Sequence, residues 1–148
     1  MKPQPHPPLP PLLQHLRQAA PQIAITIHWS PDPDDCWGDA INRDWTAGLD
    51  PDDWQAWQSE VRAVAIVGGT MIQGSAYLGG TWEKASDHPA QSNPDISGYL
   101  PQMLEEAVLE IVAQVPNQKT LRAQGRRAVA FLQAEMQSRY AAQRSAPL

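Results

Sequence analysis

Cysteine is nearly absent from this chain of 148 residues, which has a single one, Cys36. One cysteine excludes an internal disulfide framework and a zinc cage built from cysteines. Long apolar runs are absent as well, so we expect no helix that spans a membrane. The chain starts with Met1 and Lys2 and runs into prolines without the apolar stretch of a secretory signal, and we therefore expect a cytoplasmic protein.

Basic residues are also scarce, since 11 Lys and Arg stand against 16 Asp and Glu, a net charge of −5. This balance argues against a uniformly basic coat for nucleic acid, although not against a local basic face. Phe occurs once and Tyr three times, whereas Trp occurs six times and Pro fifteen times. Prolines crowd the first eleven residues, which predicts a flexible proline-rich tail over 1–10, a single domain over 11–142 and a frayed end over 143–148.

Apolar periodicity predicts the order of the structural elements. A short helix is expected near 11–17, and alternation of Ile23, Ile25, Ile27 and Trp29 predicts a strand. Two further strands, 61–67 and 70–78, flank a Gly68-Gly69 hairpin turn, and a second glycine pair at 79–80 is expected to end the sheet before a loop over 81–95. Gly74 inside the last strand indicates a bulge or a close approach of another backbone.

The remainder of the chain has helical periodicity. Leu100 to Val115 repeats apolar residues at helical spacing over four turns, and a second helix follows Pro116. Three strands leave one sheet face bare, and two amphipathic helices can cover it. The sequence therefore predicts an α+β fold, in which a small antiparallel three-stranded sheet carries two long C-terminal helices on one face.

Charge is strongly segregated along the chain. Residues 30–60 carry nine acids against one Arg, interleaved with four Trp, whereas residues 117–148 carry six bases against one Glu. Within the acidic segment, Asp50 and Pro51 have the pattern of a helix start, which predicts a short helix with Trp54 and Trp57 on one face. Trp is enriched at binding hot spots, and clustered carboxylates steer a cationic partner.

These features favour a non-enzymatic accessory or regulatory protein that binds a protein partner with a basic surface. The predicted partner-binding residues are Asp34, Asp35, Trp37, Trp45, Asp52, Asp53, Trp54 and Trp57. A structural interpretation competes with this one, because acidic runs are usually solvated faces and the Trp rings could pin a long loop onto the core. The acidic segment could also pair with the basic last helix of the same chain.

The basic last helix supports an alternative function, a nucleic-acid-binding subunit that grips phosphates. The residues concerned are Lys119, Arg122, Arg126 and Arg127. No recognition-helix motif or stacking aromatic accompanies them, which favours the competing interpretation of a solvated helix face. The apolar stripe of the same helix makes a homodimer through helices a further possibility.

Patterns for catalysis and for metal binding are weak. The run Asp32 to Asp39 has the carboxylate density of a calcium loop, but Trp37 stands where the sharp-turn glycine belongs and Arg43 where a bidentate Glu belongs. A zinc site from His28, Cys36 and His88 matches no known spacing. Cys36 lies among acids, which blunts a thiol, and no nucleophile or phosphate-loop motif occurs. We therefore expect neither a cofactor nor a metal ion.

One stretch resembles a known group of proteins. The segment from Met71 to Gly80, a polar loop, and Gly98-Tyr99-Leu100 leading into a helix with Glu105 resemble small uncharacterised accessory proteins of phages and mobile elements. The resemblance covers roughly residues 61–115, and the long insert at 81–95 departs from it. The resemblance implies a biological context rather than an activity, and it favours an accessory or counter-defence protein that acts by binding.

Overall fold

The structure, a computed structural model, describes residues 11–33 and 48–145. Within these ranges it confirms the predicted α+β class, with one antiparallel sheet in the order β1-β2-β3 and two long C-terminal helices. The elements are helix α1 (Pro11–Ala19), strand β1 (Ala24–Pro31), strand β2 (Trp54–Val67), strand β3 (Thr70–Lys84), the one-turn helix α2 (Pro89–Ser92), helix α3 (Leu100–Gln114) and helix α4 (Lys119–Ser145). Short 3-10 turns lie at Pro51–Asp53 and Ile96–Gly98.

The inner face of the sheet carries small side chains where α3 crosses it. Val61, Ala63 and Ala76 are at most 2% exposed. Gly74 pairs with Ala63 across the hairpin. A Cβ atom at Gly74 would overlap the backbone carbonyl oxygen of Ala107 in α3, so the predicted close backbone approach is confirmed. The small residues let the helix axis lie close to the sheet.

Helix α3 is the middle layer of the protein. Leu104, Val108 and Ile111 have no exposed surface, because α3 packs on the sheet on one side and on α4 on the other. The two helices also approach closely, since a Cβ atom at Gly125 would overlap a methyl group of Val112. Opposite faces of α3 therefore contact the sheet and α4, and α3 joins these two parts of the core.

A strained turn precedes α3 and is tied to α4. Ile96 and Ser97 have positive φ values of 51° and 55°, a conformation that is unfavourable for residues other than glycine and especially for a β-branched one. Asp95 accepts a hydrogen bond of 2.6 Å from Nη1 of Arg139. The Nε atom of the same arginine donates to Glu135 at 3.0 Å. The hydrogen bond to Asp95 raises the pKa of Arg139 above its ordinary value, so the guanidinium stays protonated.

The outer face of the sheet is open in the part of the chain that the structure describes. Ile66, Met71 and Tyr77 are 71%, 58% and 72% exposed. Between them, Arg62 lies two residues from Glu60 and donates two hydrogen bonds to its carboxylate, at 2.9 and 3.2 Å. This bonding raises the pKa of the Arg62 guanidinium above its ordinary value.

The outer edge of β3 is covered by side chains of α3. Glu110 Oε2 accepts a hydrogen bond of 2.9 Å from the Ser75 backbone N–H, and Gln114 Nε2 donates one of 2.7 Å to the Gln73 carbonyl. These groups occupy the positions that a fourth strand would take. The arrangement protects the edge against pairing with another chain.

Loss of one of these contacts should expose the Ser75 amide. We expect Glu110→Ala to increase the hydrogen-exchange rate of that amide about tenfold, since its acceptor is removed. Glu106→Ala, at an exposed position one turn earlier in α3, is the control and should leave the rate unchanged. Equal exchange rates in both variants would show that Glu110 does not protect the edge.

Two predictions about the sheet are wrong. Trp54 and Trp57 do not lie on a short helix, because the helix start at Pro51 ends after a single 3-10 turn and β2 begins at Trp54. The glycine pair at 79–80 does not end β3, which continues to Lys84, and part of the expected loop over 81–95 is therefore strand. The glycines instead fall at the shift in register between Trp57 and Ser59 of β2.

The predicted tail over residues 1–10 lies outside the described residues. At the other end α4 is helical to Ser145, beyond the residue at which fraying was expected. Over the ranges 11–33 and 48–145, no helix is both long and apolar enough to cross a membrane.

Candidate functional site

Two turns meet at one end of the sheet and bring acidic residues together. Asp50 Oδ1 accepts a hydrogen bond of 3.0 Å from the Asp52 N–H, which closes the first turn. The Asp53 carbonyl accepts a hydrogen bond of 2.8 Å from the N–H of Ala85 in the second turn. Trp54 and Lys84 are cross-strand partners at the same place. We call residues 50–57 and 82–88 the acidic end of the sheet.

Carboxylates dominate the charge of the acidic end. Asp50, Asp52, Asp53 and Asp87 are exposed, and Lys84 is the only Lys or Arg in these two ranges. Glu83 is half-buried and accepts a hydrogen bond of 2.9 Å from Ser92 Oγ. The excess of negative charge creates a field that attracts cations and repels anions.

Three tryptophans, Trp54, Trp57 and Trp82, accompany these carboxylates, and all three are half-buried. The Trp57 ring contacts the His88 ring, with 5.3 Å between centroids and 57° between planes. His88 Nδ1 in turn accepts the Ala90 N–H at 3.1 Å, which fixes the imidazole at the start of α2. The Trp57 indole N–H is buried without a hydrogen-bond partner among the described residues. Trp54 and Trp82 share one face of the sheet, because Trp82 is the cross-strand partner of Ala56, whereas Trp57 lies on the other face.

Asp32 has a structural position beside this site. Its carboxylate accepts a hydrogen bond of 3.0 Å from the Gly80 N–H, and its own N–H donates to the Ala56 carbonyl at 3.0 Å. A Cβ atom at Gly79 would lie 2.8 Å from the Asp32 carboxylate, so the glycine leaves space for this contact. Asp32 connects the end of β1 to β3 across β2.

The structure brings together only part of the predicted partner-binding set. Asp52, Asp53, Trp54 and Trp57 lie at the acidic end. Four predicted residues lie outside the described residues, namely Asp34, Asp35, Trp37 and Trp45. The sequence does not predict Trp82, Asp87 or His88 as partner-binding residues, because its pattern over 81–95 indicates a loop. Strand-like residues continue past the glycines from Thr81 to Trp82, and this was the available signal.

The calcium-loop and zinc patterns considered from the sequence are not assembled into a site in the described residues. His28 lies on β1 with its Nε2 3.0 Å from Thr26 Oγ1, whereas His88 contacts Trp57. Cys36 and most of the Asp32 to Asp39 run lie outside the described residues. In the ranges 11–33 and 48–145 no three His, Cys, Asp or Glu side chains are placed to hold a metal ion together.

Two of the four basic residues proposed for nucleic acid bind backbone carbonyls. Arg122 Nη1 donates to the Pro116 carbonyl at 3.0 Å, and Arg127 Nε donates to the Ala19 carbonyl at the end of α1 at 3.3 Å. Lys119 and Arg126 are exposed on the same helix. Arginine side chains stabilise the unpaired carbonyls at or just beyond the C-terminal ends of helices, which gives Arg122 and Arg127 a structural explanation.

Most of the apolar stripe of α4 is used inside the chain. Leu121, Ala128 and Leu132 are at most 5% exposed and belong to the core. Tyr140, near the end of the helix, is 61% exposed, and Arg144 lies over its ring. Only the last turns of the stripe are available for the predicted dimer through helices.

No protein-family model, no curated protein and no solved structure matches this chain.

Proposed function

We propose that this is a non-enzymatic accessory or regulatory protein that binds a protein partner with a basic surface. The observation that carries the proposal is the meeting of two chain segments at the acidic end, where the hydrogen bond from the Ala85 N–H to the Asp53 carbonyl joins the turn that holds Asp52 and Asp53 to the turn that holds Asp87. The proposal also includes Asp34, Asp35, Trp37 and Trp45, which lie outside the described residues.

Electrostatics and side-chain type both support a cationic partner. Exposed carboxylates raise the rate at which a basic surface associates, and the effect weakens with salt. Half-buried Trp side chains supply rigid apolar contact area that loses little conformational entropy on binding. Arg and Lys side chains of a partner fit this surface best, because they pair with carboxylates and stack on indole rings.

The setting of this function is a second part of the proposal. The resemblance of residues 61–115 to accessory proteins of phages and mobile elements supports a cytoplasmic protein of that type. A counter-defence role would fit it, in which the protein occupies a basic surface of a host component. Mimicry of nucleic-acid phosphates is the physical means, since both surfaces present closely spaced negative charge.

Charge reversal at the acidic end should abolish partner binding. We expect Asp52→Lys with Asp53→Lys to reduce partner capture from a lysate of the source cells at least about tenfold, because attraction is replaced by repulsion. Wild-type and variant proteins serve as matched baits at low and moderate salt, with quantitative mass spectrometry of the recovered proteins. Both positions are exposed, so the thermal midpoint of the variant should stay close to that of the wild type.

A control variant changes the net charge by the same amount elsewhere. Gln102→Lys, Glu106→Lys and Gln137→Lys together raise the net charge by four at exposed helix positions. It should capture the same partner as the wild type. Loss of the partner from both variants, or from neither, would contradict recognition by the acidic end. Recovery of nucleic acid that is lost after Lys119→Ala with Arg126→Ala would support the alternative instead.

A further inference from the structure

The two edges of the sheet differ in how they are protected. The edge of β3 is covered by Glu110 and Gln114. In the ranges that the structure describes, strand β1 forms the opposite edge and is paired only with β2. Its eight residues include no charged side chain, and its proline, Pro31, stands at the last position. Unpaired edges in soluble proteins are normally blocked by charge, by an internal proline or by a bulge, and β1 has none of these.

The register identifies which backbone groups of β1 are unpaired. In an antiparallel ladder, alternate residues direct their N–H and C=O groups to the neighbouring strand. The Asp32 N–H donates to the Ala56 carbonyl, and Asp32 continues the β1–β2 register, so even-numbered residues of β1 face β2. The N–H and C=O groups of Ile25, Ile27 and Trp29 therefore point away from the sheet. No described residue forms a hydrogen bond with these outward-pointing backbone groups.

We infer that β1 pairs antiparallel with β1 of a second copy of this chain, which joins two three-stranded sheets into one. A two-fold axis at Ile27 places Ile27 opposite itself and Ile25 opposite Trp29 of the second copy. These are the residues with unpaired backbone groups, so the pairing forms six backbone hydrogen bonds. The apolar side chains of Ile25, Ile27 and Trp29, partly buried in the monomer, then meet their counterparts on the inner face.

The charged residues of the outer face do not oppose this orientation. On the outer face Arg62 lies beside Thr26 and Glu60 lies beside His28 in the β1–β2 register. An antiparallel pairing about Ile27 sets Thr26 opposite His28 of the second copy. It therefore puts Arg62 of one copy and Glu60 of the other in the same cross-strand row, about 14 Å apart. A parallel pairing in register would put like charges in each row instead.

The inferred register can be tested by paired charge substitutions at two exposed positions of β1. Thr26→Lys with His28→Lys puts lysines directly opposite each other across the two-fold axis, twice. Thr26→Glu with His28→Lys puts unlike charges there. Analytical ultracentrifugation from micromolar to submillimolar concentration should show dimers for the wild type and for the second variant. For the first variant the dimer dissociation constant should rise about tenfold or more, with recovery at high salt.

Hydrogen exchange adds a readout specific to the edge. The amides of Ile25, Ile27 and Trp29 should be protected in the dimer and exchange rapidly in the lysine variant, whereas those of Thr26 and His28 stay protected by β2. A monomeric wild type would overturn the inference. So would a dimer that both variants leave intact, which would indicate another interface such as the end of α4. Neither result bears on recognition by the acidic end, which uses other residues.

Discussion

Replacing Gly74 by alanine is expected to lower the free energy of unfolding by about 3 kcal/mol. The added methyl group would overlap the backbone carbonyl oxygen of Ala107, and a backbone atom cannot move away without shifting α3 as a whole. Because α3 also packs on α4, the shift would loosen both halves of the core. Chemical denaturation monitored by circular dichroism measures the loss.

The matched control for this prediction is Gly68→Ala in the hairpin turn. Gly68 has a φ of +56° and no atom within 4 Å of an added Cβ, so alanine there meets only backbone strain. We expect a loss of about 1 kcal/mol at this position. If both variants lost the same free energy, the close approach of α3 to the sheet would not be a determinant of stability.

Truncation of the middle layer should be comparably severe. Leu104 in α3 has no exposed surface, and Leu104→Ala is expected to lower the free energy of unfolding by about 3 kcal/mol through lost burial and an unfilled cavity. That is a large share of the roughly 5–15 kcal/mol that stabilises a typical domain. The thermal midpoint should fall by about 10 °C or more.

Leu109→Ala tests the same substitution on the exposed side of the same helix. Leu109 is 46% exposed, and its truncation should change the free energy of unfolding by less than about 1 kcal/mol. Comparison of the two variants separates the effect of packing from that of helix propensity, since alanine replaces leucine within α3 in both of them. A small effect at Leu104 would contradict the assignment of α3 as the central layer.

Local patterns predicted most of the fold. The alternation from Ile23 to Trp29 and the helical repeat from Leu100 to Val115 each reflect one buried face, and burial decides secondary structure in such segments. The predicted close contact at Gly74 followed from the absence of a side chain in a strand. In each case the signal and its cause lie in the same few residues.

The errors arose where distant residues decide the structure. Asp50 and Pro51 do begin a helical turn, but Trp54 pairs with Lys84, which lies 30 positions later in the chain. A local pattern cannot show a pairing over that separation. Gly79 suggested a turn, whereas it leaves space for the carboxylate of Asp32, a residue of another element. Because of the same pairing, Trp57 lies on a strand and not on the predicted helical face, and its ring contacts His88.

Contacts between the N-terminal segment and the rest of the chain span long sequence distances. The side chain of Arg127 donates a hydrogen bond to the carbonyl of Ala19, 108 positions away in the chain. The Gln22 N–H donates one to the side chain of Gln124, 102 positions away. By contrast, the β2–β3 hairpin and the α3–α4 pair are each made from neighbouring segments. Closing a long loop delays folding, so we expect the hairpin and the helix pair to form first and residues 11–31 to dock last. The strand with the open edge therefore belongs to the segment that should detach first when the protein opens locally.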